Sequence, residues 1–346
     1  MTHSPRRPPG SRFGHLTGAY GLLALGALLF LAFSLALPDT FPTLDNISEV
    51  LSNQSIPAIL ALGATIPIVT AKFDLSIGYG LGLAHVMTMQ LIAHEAWPWP
   101  LACLLVVLGG TLVGILNGAV VEFARINSFI ATLGTGSILY AVTGWITNGA
   151  RIVPGPHGLP TAFTDLYDSR FLGLPVSAFY VLALTAVLWL VLERLPLGRY
   201  LYVIGSNPRA AELVGIPTRR YVIHAFAGSG LVVGIAGVLL AAQQRIGNPS
   251  VGLDYLLPAF VGALLGSTAI RPGRANALGT LVAVVVLAVG LAGIGQLGAQ
   301  FWVTPLFNGA TLLLAVGMAG YAARRQLRRQ RTEPPRTLPD PPRTTP

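Results

Sequence analysis

RLPLGRYLYVIGSNPRAAELVGIPTRR, residues 194–220, is a basic, polar island between two long apolar segments. Its centre reads as a short helix with marked ends. Asn207 can cap it, Pro208 suits its first turn, and Gly215 can close it. An apolar chain that holds one capped, Arg-flanked helix outside its apolar segments is presenting that helix to something. What flanks the island decides the fold.

Of the 346 residues, 53% are hydrophobic and 10% are charged. A soluble domain carries about 25% charged residues. So little polar surface makes lipid the natural solvent. The 40 glycines lie within apolar runs. That placement fits close helix packing in a membrane and not a collagen-like or disordered chain. The net charge is +9. The basic residues sit in short loops between apolar segments, which reads as a topology signal and not as nucleic-acid binding. Cys103 is the only cysteine, which rules out an intrachain disulfide and a Cys-cluster metal site.

Working outward from the island, ten apolar segments are legible, each close to the ~20 residues a bilayer requires. They are 19–37, 56–71, 77–93, 101–123, 128–147, 175–193, 221–243, 255–270, 277–294 and 301–320. The second, third and eighth are short, and the second contains Gly63 and Pro67. Tilted, kinked or broken helices are expected there. With the N-terminus in the cytoplasm, only Arg151, Arg170 and Arg245 of the 22 Lys and Arg residues fall outside. One span more or fewer would move Arg324, Arg325, Arg328, Arg329 and Arg331 outside, against the positive-inside rule.

The expected fold class is therefore all-α: a polytopic membrane protein of about ten transmembrane helices. Residues 1–18 are a cytoplasmic leader, 19–322 the transmembrane domain, and 323–346 a disordered, basic, Pro-rich cytoplasmic tail. The first apolar run is long for a signal-peptide core and lacks a clear small-x-small site before Pro38, so it reads as an uncleaved span. Spans two to five and seven to ten form two four-span groups. With one span between them, they enter the membrane from opposite faces. That is the layout of an inverted repeat, with a pathway between the halves.

Much chemistry is missing. Lys72, the only lysine, is followed by Phe73, so there is no phosphate-cradling Gly-Lys-Ser/Thr turn. No HExxH or GxSxG occurs, and His3, His15, His85, His94, His157 and His224 lack metal-ligand spacing. The spans hold almost no ionisable groups, which argues against an intramembrane enzyme and against proton-coupled transport. Glu122 lies near a cytoplasmic end and can snorkel.

Small residues recur at four-residue steps, at Gly110, Gly114 and Gly118, at Gly230 and Gly234, and at Gly262 and Gly266. Close helix packing is the first reading, and a sliding seam the second. Uncharged polar groups within the spans are candidates for lining a pathway: Asn117, Ser128, Thr132, Thr135, Ser137, Asn148, Gln243 and Gln244. Local helix–helix hydrogen bonding is the alternative for each. Asp74 or Ser76, in FDLSIG at 73–78, can cap the following helix or belong to a discontinuous element beside the pathway.

These residues resemble the membrane permease subunits of ribose/xylose/arabinose-type ABC importers, over about residues 50 to 322. FDLSIG at 73–78 is similar to the family's DLSxG segment. GILNGAVVEFARINSFIATLGTGSILYAVTGWITNG at 114–149 is similar to its NG pair followed by PFIxTLG. GRYLYVIGSNPRAAELVGI at 198–216 is similar to its cytoplasmic loop, and GRANALGT at 273–280 to its GxGxxxGT stretch. Ser128 stands where the family usually has proline, and the stretch from Gly266 to Gly273 departs from its GGTSLxGGxG loop.

The resemblance implies an all-helical, non-catalytic permease subunit in the bacterial cytoplasmic membrane, with both termini cytoplasmic. It would import a small sugar or sugar-like solute. This chain would carry no cofactor, since a separate cytoplasmic ATPase subunit would bind ATP and Mg. The other implied partners are an extracytoplasmic solute-binding protein, a second permease copy or a homologous permease, and membrane lipid, with no nucleic acid.

The resemblance also makes the island the coupling loop. Gly205, Asn207, Arg209, Ala210, Ala211, Glu212, Leu213, Val214 and Gly215 would meet the ATPase, with Ala210, Ala211, Leu213 and Val214 as apolar contacts. Alternatives are a permease for a nucleoside or branched-chain amino acid, or a secondary transporter in which 194–220 is an ordinary linker. A scaffold or enzyme without a transport role is the last.

Overall fold

The computed structural model describes residues 10–156, 158–314 and 317, with side chains from Tyr20 onward. The start of the expected leader and the basic tail lie outside the described residues.

Helices occupy every segment expected to span. They are α1 (Gly10–Ala36), α2 (Leu44–Asn53), α3 (Ser55–Val69), α4 (Ser76–Met89), α5 (Trp99–Phe123), α6 (Ser128–Thr147) and α7 (Thr161–Asp168). After a two-strand hairpin, β1 (Arg170–Phe171) and β2 (Leu174–Pro175), come α8 (Val176–Trp189), α9 (Pro196–Ser206), α10 (Pro208–Leu213), α11 (Thr218–Gln244), α12 (Val251–Gly266), α13 (Ala277–Gln296) and α14 (Val303–Leu314). Among the described residues, five helices are long and apolar enough to cross a membrane without a break. Several other segments are short or interrupted, as the sequence suggested. The second, 56–71, is the single helix α3, which runs through Gly63 and Pro67 without a break; α2 precedes it at an angle of 44°. α4 continues through a π-helical turn at Gln90–His94.

Polar residues set the ends. Thr43 caps α2 by accepting from the Asn46 amide at 3.2 Å, and Asn276 caps α13 by accepting from the Gly279 amide at 2.7 Å. α6 stops where Asn148 turns left-handed at φ 50°, and α11 where Arg245 does so at φ 57°.

The glycine stripes explain the centre of the bundle. α5 and α11 cross backbone to backbone, with Gly110 and Gly114 facing Gly230, Gly110 also facing Gly234, and Gly118 lying against Ile223 and Phe226. A Cβ on Gly110 would lie 2.6 Å from the Gly230 carbonyl oxygen, and one on Gly234 would lie 2.8 Å from Val107 Cα. Only glycine permits that approach, which gains dispersion contacts that lipid-exposed apolar faces cannot supply. α3 and α11 pack on each other; α3 also packs on α12 and α13, and α11 on α4 and α5.

Contacts sort the connections onto two faces. On one, α9 lies against Val69 and Thr70 at the end of α3, Tyr202 donates to the Ala275 carbonyl at 2.8 Å, and Arg271 pairs with Glu193. On the other, Gln296 donates to Asn46 at 2.6 Å, Tyr167 donates to the Ser52 carbonyl at 2.6 Å, Arg245 pairs with Asp168, and Gly247 bridges Ile152. The first face carries Lys72, Arg125 and the basic island; the second carries Asp39, Asp45, Glu49 and Glu95.

Candidate functional site

The displayed helix comes first. In α10, Asn207 Oδ1 accepts from the Ala210 amide at 3.1 Å, and Pro208 occupies the first turn. Gly215 sits at φ 82°, with the Gly215 amide donating to the Glu212 carbonyl and the Ile216 amide to the Ala211 carbonyl, both at 3.0 Å. That pair of bonds is a Schellman ending, which needs a residue at ease with positive φ. Six residues thus form a self-contained helix, stopped at both ends by their immediate neighbours.

Its side chains divide sharply. Leu213 is 88% exposed and Val214 74% exposed, while Ala211 is fully buried. Ala211 packs with Val121, Ile204, Val222 and Phe226. The expectation that Ala211 offers apolar contact to a partner is therefore corrected: it faces the bundle and anchors α10 there, while Leu213, two residues on, points away and Val214 stands exposed at the helix end. Gly205 also faces inward, against the Val69 carbonyl. Arg209, Ala210 and Glu212 are exposed, and Glu212 accepts from the Thr218 hydroxyl at 3.0 Å.

The platform beneath is α9. Tyr202 donates to the Ala275 carbonyl, and the Arg274 guanidinium lies over its ring, 3.4 Å from the centroid. Burial, with the nearby Glu193 carboxylate, pushes the Tyr202 phenol up to about 12.

The second group lies at the break between α3 and α4. Asp74 is buried and accepts from the Ser76 hydroxyl at 2.5 Å, the Ser76 amide at 3.1 Å and the Ser229 hydroxyl of α11 at 3.1 Å. Asn117 of α5 donates to the Ser76 hydroxyl at 2.8 Å. Thr132 of α6 accepts from the Leu75 amide at 2.9 Å, and Ser128 accepts from the Phe73 amide at 3.1 Å. Asp74, Ser76, Asn117 and Thr132, far apart in sequence, therefore converge on one junction. Ser128, in place of the usual proline, supplies an acceptor there. Lys72 and Glu122 pair beside it at 3.5 Å. A largely apolar cavity of about 420 Å³ runs from Asp74 and Ser76 between α4, α5, α6 and α11.

The remaining candidates lie elsewhere. Thr135 bonds back to its own helix, at the Ala131 carbonyl, 3.1 Å away. Asn148 ends α6 and Gln243 nears the end of α11, both toward the opposite face. Ser229 was missed by sequence reasoning, although a serine beside Gly228 and Gly230 in an apolar helix is a signal. His85 was dismissed as a metal ligand, yet it is fully buried and its Nε2 accepts from the Asn248 amide at 3.0 Å, tying α4 to the α11–α12 connection.

Among the described residues, no group of three or more His, Cys, Asp or Glu side chains could hold a metal ion. The fold is thus a predominantly helical bundle, with helices long and apolar enough to cross a membrane, that displays a capped helix beside a bonded helix break. Residues 46–316 match the family described as branched-chain amino acid transport system / permease component, and the chain belongs to it. It is 32% identical over 260 residues to a ribose import permease protein of Haemophilus influenzae, covering 75% of this chain and 80% of that one. It is 26% identical over 299 residues to a D-allose transport system permease protein of Escherichia coli, covering 86% and 90%. It is 31% identical over 300 residues to an autoinducer 2 import system permease protein of Escherichia coli, covering 85% and 90%. No solved structure matches the chain. The chain is a non-catalytic permease subunit, a multi-pass inner-membrane protein.

Proposed function

We propose that this permease forms the path by which an ABC importer takes up a small, neutral, sugar-like solute, and that α10 is where it receives the energy of ATP. The observation that carries the reading is the apolar tip of α10. Leu213 and Val214 stand exposed on the face richest in Arg, while the helix caps itself and is anchored by Ala211. Exposed apolar side chains rimmed by charge on a rigid helix suit a groove in a partner protein.

A cytoplasmic ATPase subunit, binding ATP and Mg, would supply that groove, and its closure would push α10 and bias the bundle between two states. The Arg-rich face is then cytoplasmic, the chain makes ten crossings, and residues 19–322 form the transmembrane domain with both termini in the cytoplasm. A binding protein would deliver solute on the other face, and a second permease copy or homologue would complete the path. The sugar class follows the names of the relatives and the scarcity of charged groups along the spans, where Glu122 and Glu193 lie at the ends.

The test is uptake by proteoliposomes holding the permease, its ATPase and its binding protein. Uptake of a sugar that needs ATP and survives collapse of the proton gradient supports the reading. Uptake driven by the gradient without the ATPase overturns it.

A further inference from the structure

The stretch from α3 through α4 and the stretch from α11 through α12 match at one constant offset along the chain. Ala71 pairs with Arg245, Asp74 with Asn248, Ser76 with Ser250, Gly78 with Gly252 and Ala96 with Ile270. Asp-Leu-Ser-Ile-Gly at 74–78 thus corresponds to Asn-Pro-Ser-Val-Gly at 248–252. The backbone keeps the same offset. Non-glycine residues with positive φ are uncommon, yet Ala71 and Arg245 both stand at φ 57°, and Ala96 and Ile270 at φ 53° and 60°. The side-chain bonds are copied as well. Asp74 Oδ1 accepts from the Ser76 amide at 3.1 Å and the Ser76 hydroxyl at 2.5 Å. Asn248 Oδ1 accepts from the Ser250 amide at 3.2 Å and the Ser250 hydroxyl at 3.3 Å.

The first turn leads from α3 into α4 on the face that carries α10. The second leads from α11 into α12 on the opposite face, where Arg245 pairs with Asp168. The helices that follow meet between the faces, residue against counterpart. A Cβ on Gly78 would lie 2.8 Å from the Gly252 carbonyl oxygen, and one on Gly252 would collide with the Gly78 carbonyl oxygen. The neighbouring contacts are reciprocal. Gly78 lies against Leu256, and its counterpart Gly252 lies against Gly82, the counterpart of Leu256. Reciprocal contacts around a residue that touches its own counterpart mark a two-fold axis. The two turns are held unequally about that axis. Asp74 is buried and takes a further bond from Ser229, whereas Asn248 is half-buried and its amide donates to His85 at 3.0 Å.

We propose that these two turns are paired gates of the transport path, swinging about the Gly78–Gly252 contact, and that Asn248 positions the outer gate as Asp74 positions the inner one. The proposal rests on the importer reading above. Counterparts related by such an axis exchange surroundings when the bundle changes state, so the turn that is held in one state is loosened in the other.

The test is amide hydrogen exchange on the complete transporter in lipid nanodiscs, without nucleotide and with ATP and vanadate. Exchange at 72–78 and at 246–252 is expected to change in opposite directions, each by about tenfold, an ordinary size for coupling between sites. Asn248→Ala removes the acceptor for the Ser250 amide. It is expected to quicken exchange at 248–252 about fivefold, the effect of losing one such cap, and to slow uptake. Asn248→Asp, which keeps the acceptor, is expected to restore both.

A nucleotide response at one turn alone, or in the same direction at both, overturns the paired gates and leaves the importer reading standing. Uptake at the wild-type rate by Asn248→Ala overturns the role of Asn248. Exchange that ATP and vanadate change nowhere in the permease overturns both readings.

Discussion

α10 and the 70–75 break both interrupt the apolar bundle on the same face, and they are built in opposite ways. α10 keeps its polar bonds local, between Asn207, Ala210, Ala211, Glu212, Gly215 and Ile216, and turns Leu213 and Val214 outward. The break buries its carboxylate, and Asp74 and its neighbours are bonded from α4, α5, α6 and α11. A segment whose polar bonds stay within residues 207–218 can move as a unit. A segment bonded to four helices moves only if they do. On this account, α10 is the part that a partner pushes, and the break is where helix movements are tied together.

The largest effect should come from Asp74→Ala. It strands the Ser229 hydroxyl and the Ser76 amide, each costing about 1–3 kcal/mol when left buried and unpaired, and leaves the Ser76 hydroxyl with Asn117 alone. Thermal unfolding in detergent should shift sharply downward, with Asp74→Asn milder. A melting curve like wild type for Asp74→Ala would break the contrast.

Gly205→Ala comes next, because its Cβ would collide with the Val69 carbonyl beneath α9. Overpacking there should cost about 1–3 kcal/mol. The same melting assay checks it, and partner-stimulated activity should fall as the platform of α10 shifts. Asn207→Ala removes one cap and should cost about 1 kcal/mol of helix stability. Its effect should be confined to α10, read as faster amide hydrogen exchange at residues 208–213 with little change at 73–78. Equal loosening of both regions would erase the distinction.

The last effect is a pH dependence. Tyr202 is held protonated in the folded chain, at about 12 against an ordinary 10.0. Above pH 10 the unfolded chain loses that proton first, so stability should decline between about pH 10 and 12. Tyr202→Phe should flatten the decline, and a Tyr202→Phe curve parallel to wild type would remove Tyr202 as its source.

The helical segments, the glycine seam and both ends of α10 were legible in the sequence, because each depends on near neighbours or on a helical period. The direction of Ala211 was not, since a six-residue helix surrounded by polar chain has no apolar stripe to orient it. α2, α7 and α9 were missed as helices because they are short and amphipathic, lying outside the long apolar runs. Ser229 could not be assigned to Asp74, nor His85 to Asn248, because those bonds join residues 155 and 163 positions apart. Asn117 and Thr132 could be nominated as polar residues in apolar helices, but only the folded bundle brings them to the same junction.

The most direct measurement is ATP hydrolysis by the complete reconstituted transporter carrying Leu213→Asp with Val214→Asp, alongside the melting temperature of the permease alone. The account predicts an unchanged melting temperature, since both side chains are exposed, and loss of the hydrolysis that the permease and solute stimulate. Wild-type stimulation by this variant would contradict the assignment of α10 as the point where energy enters.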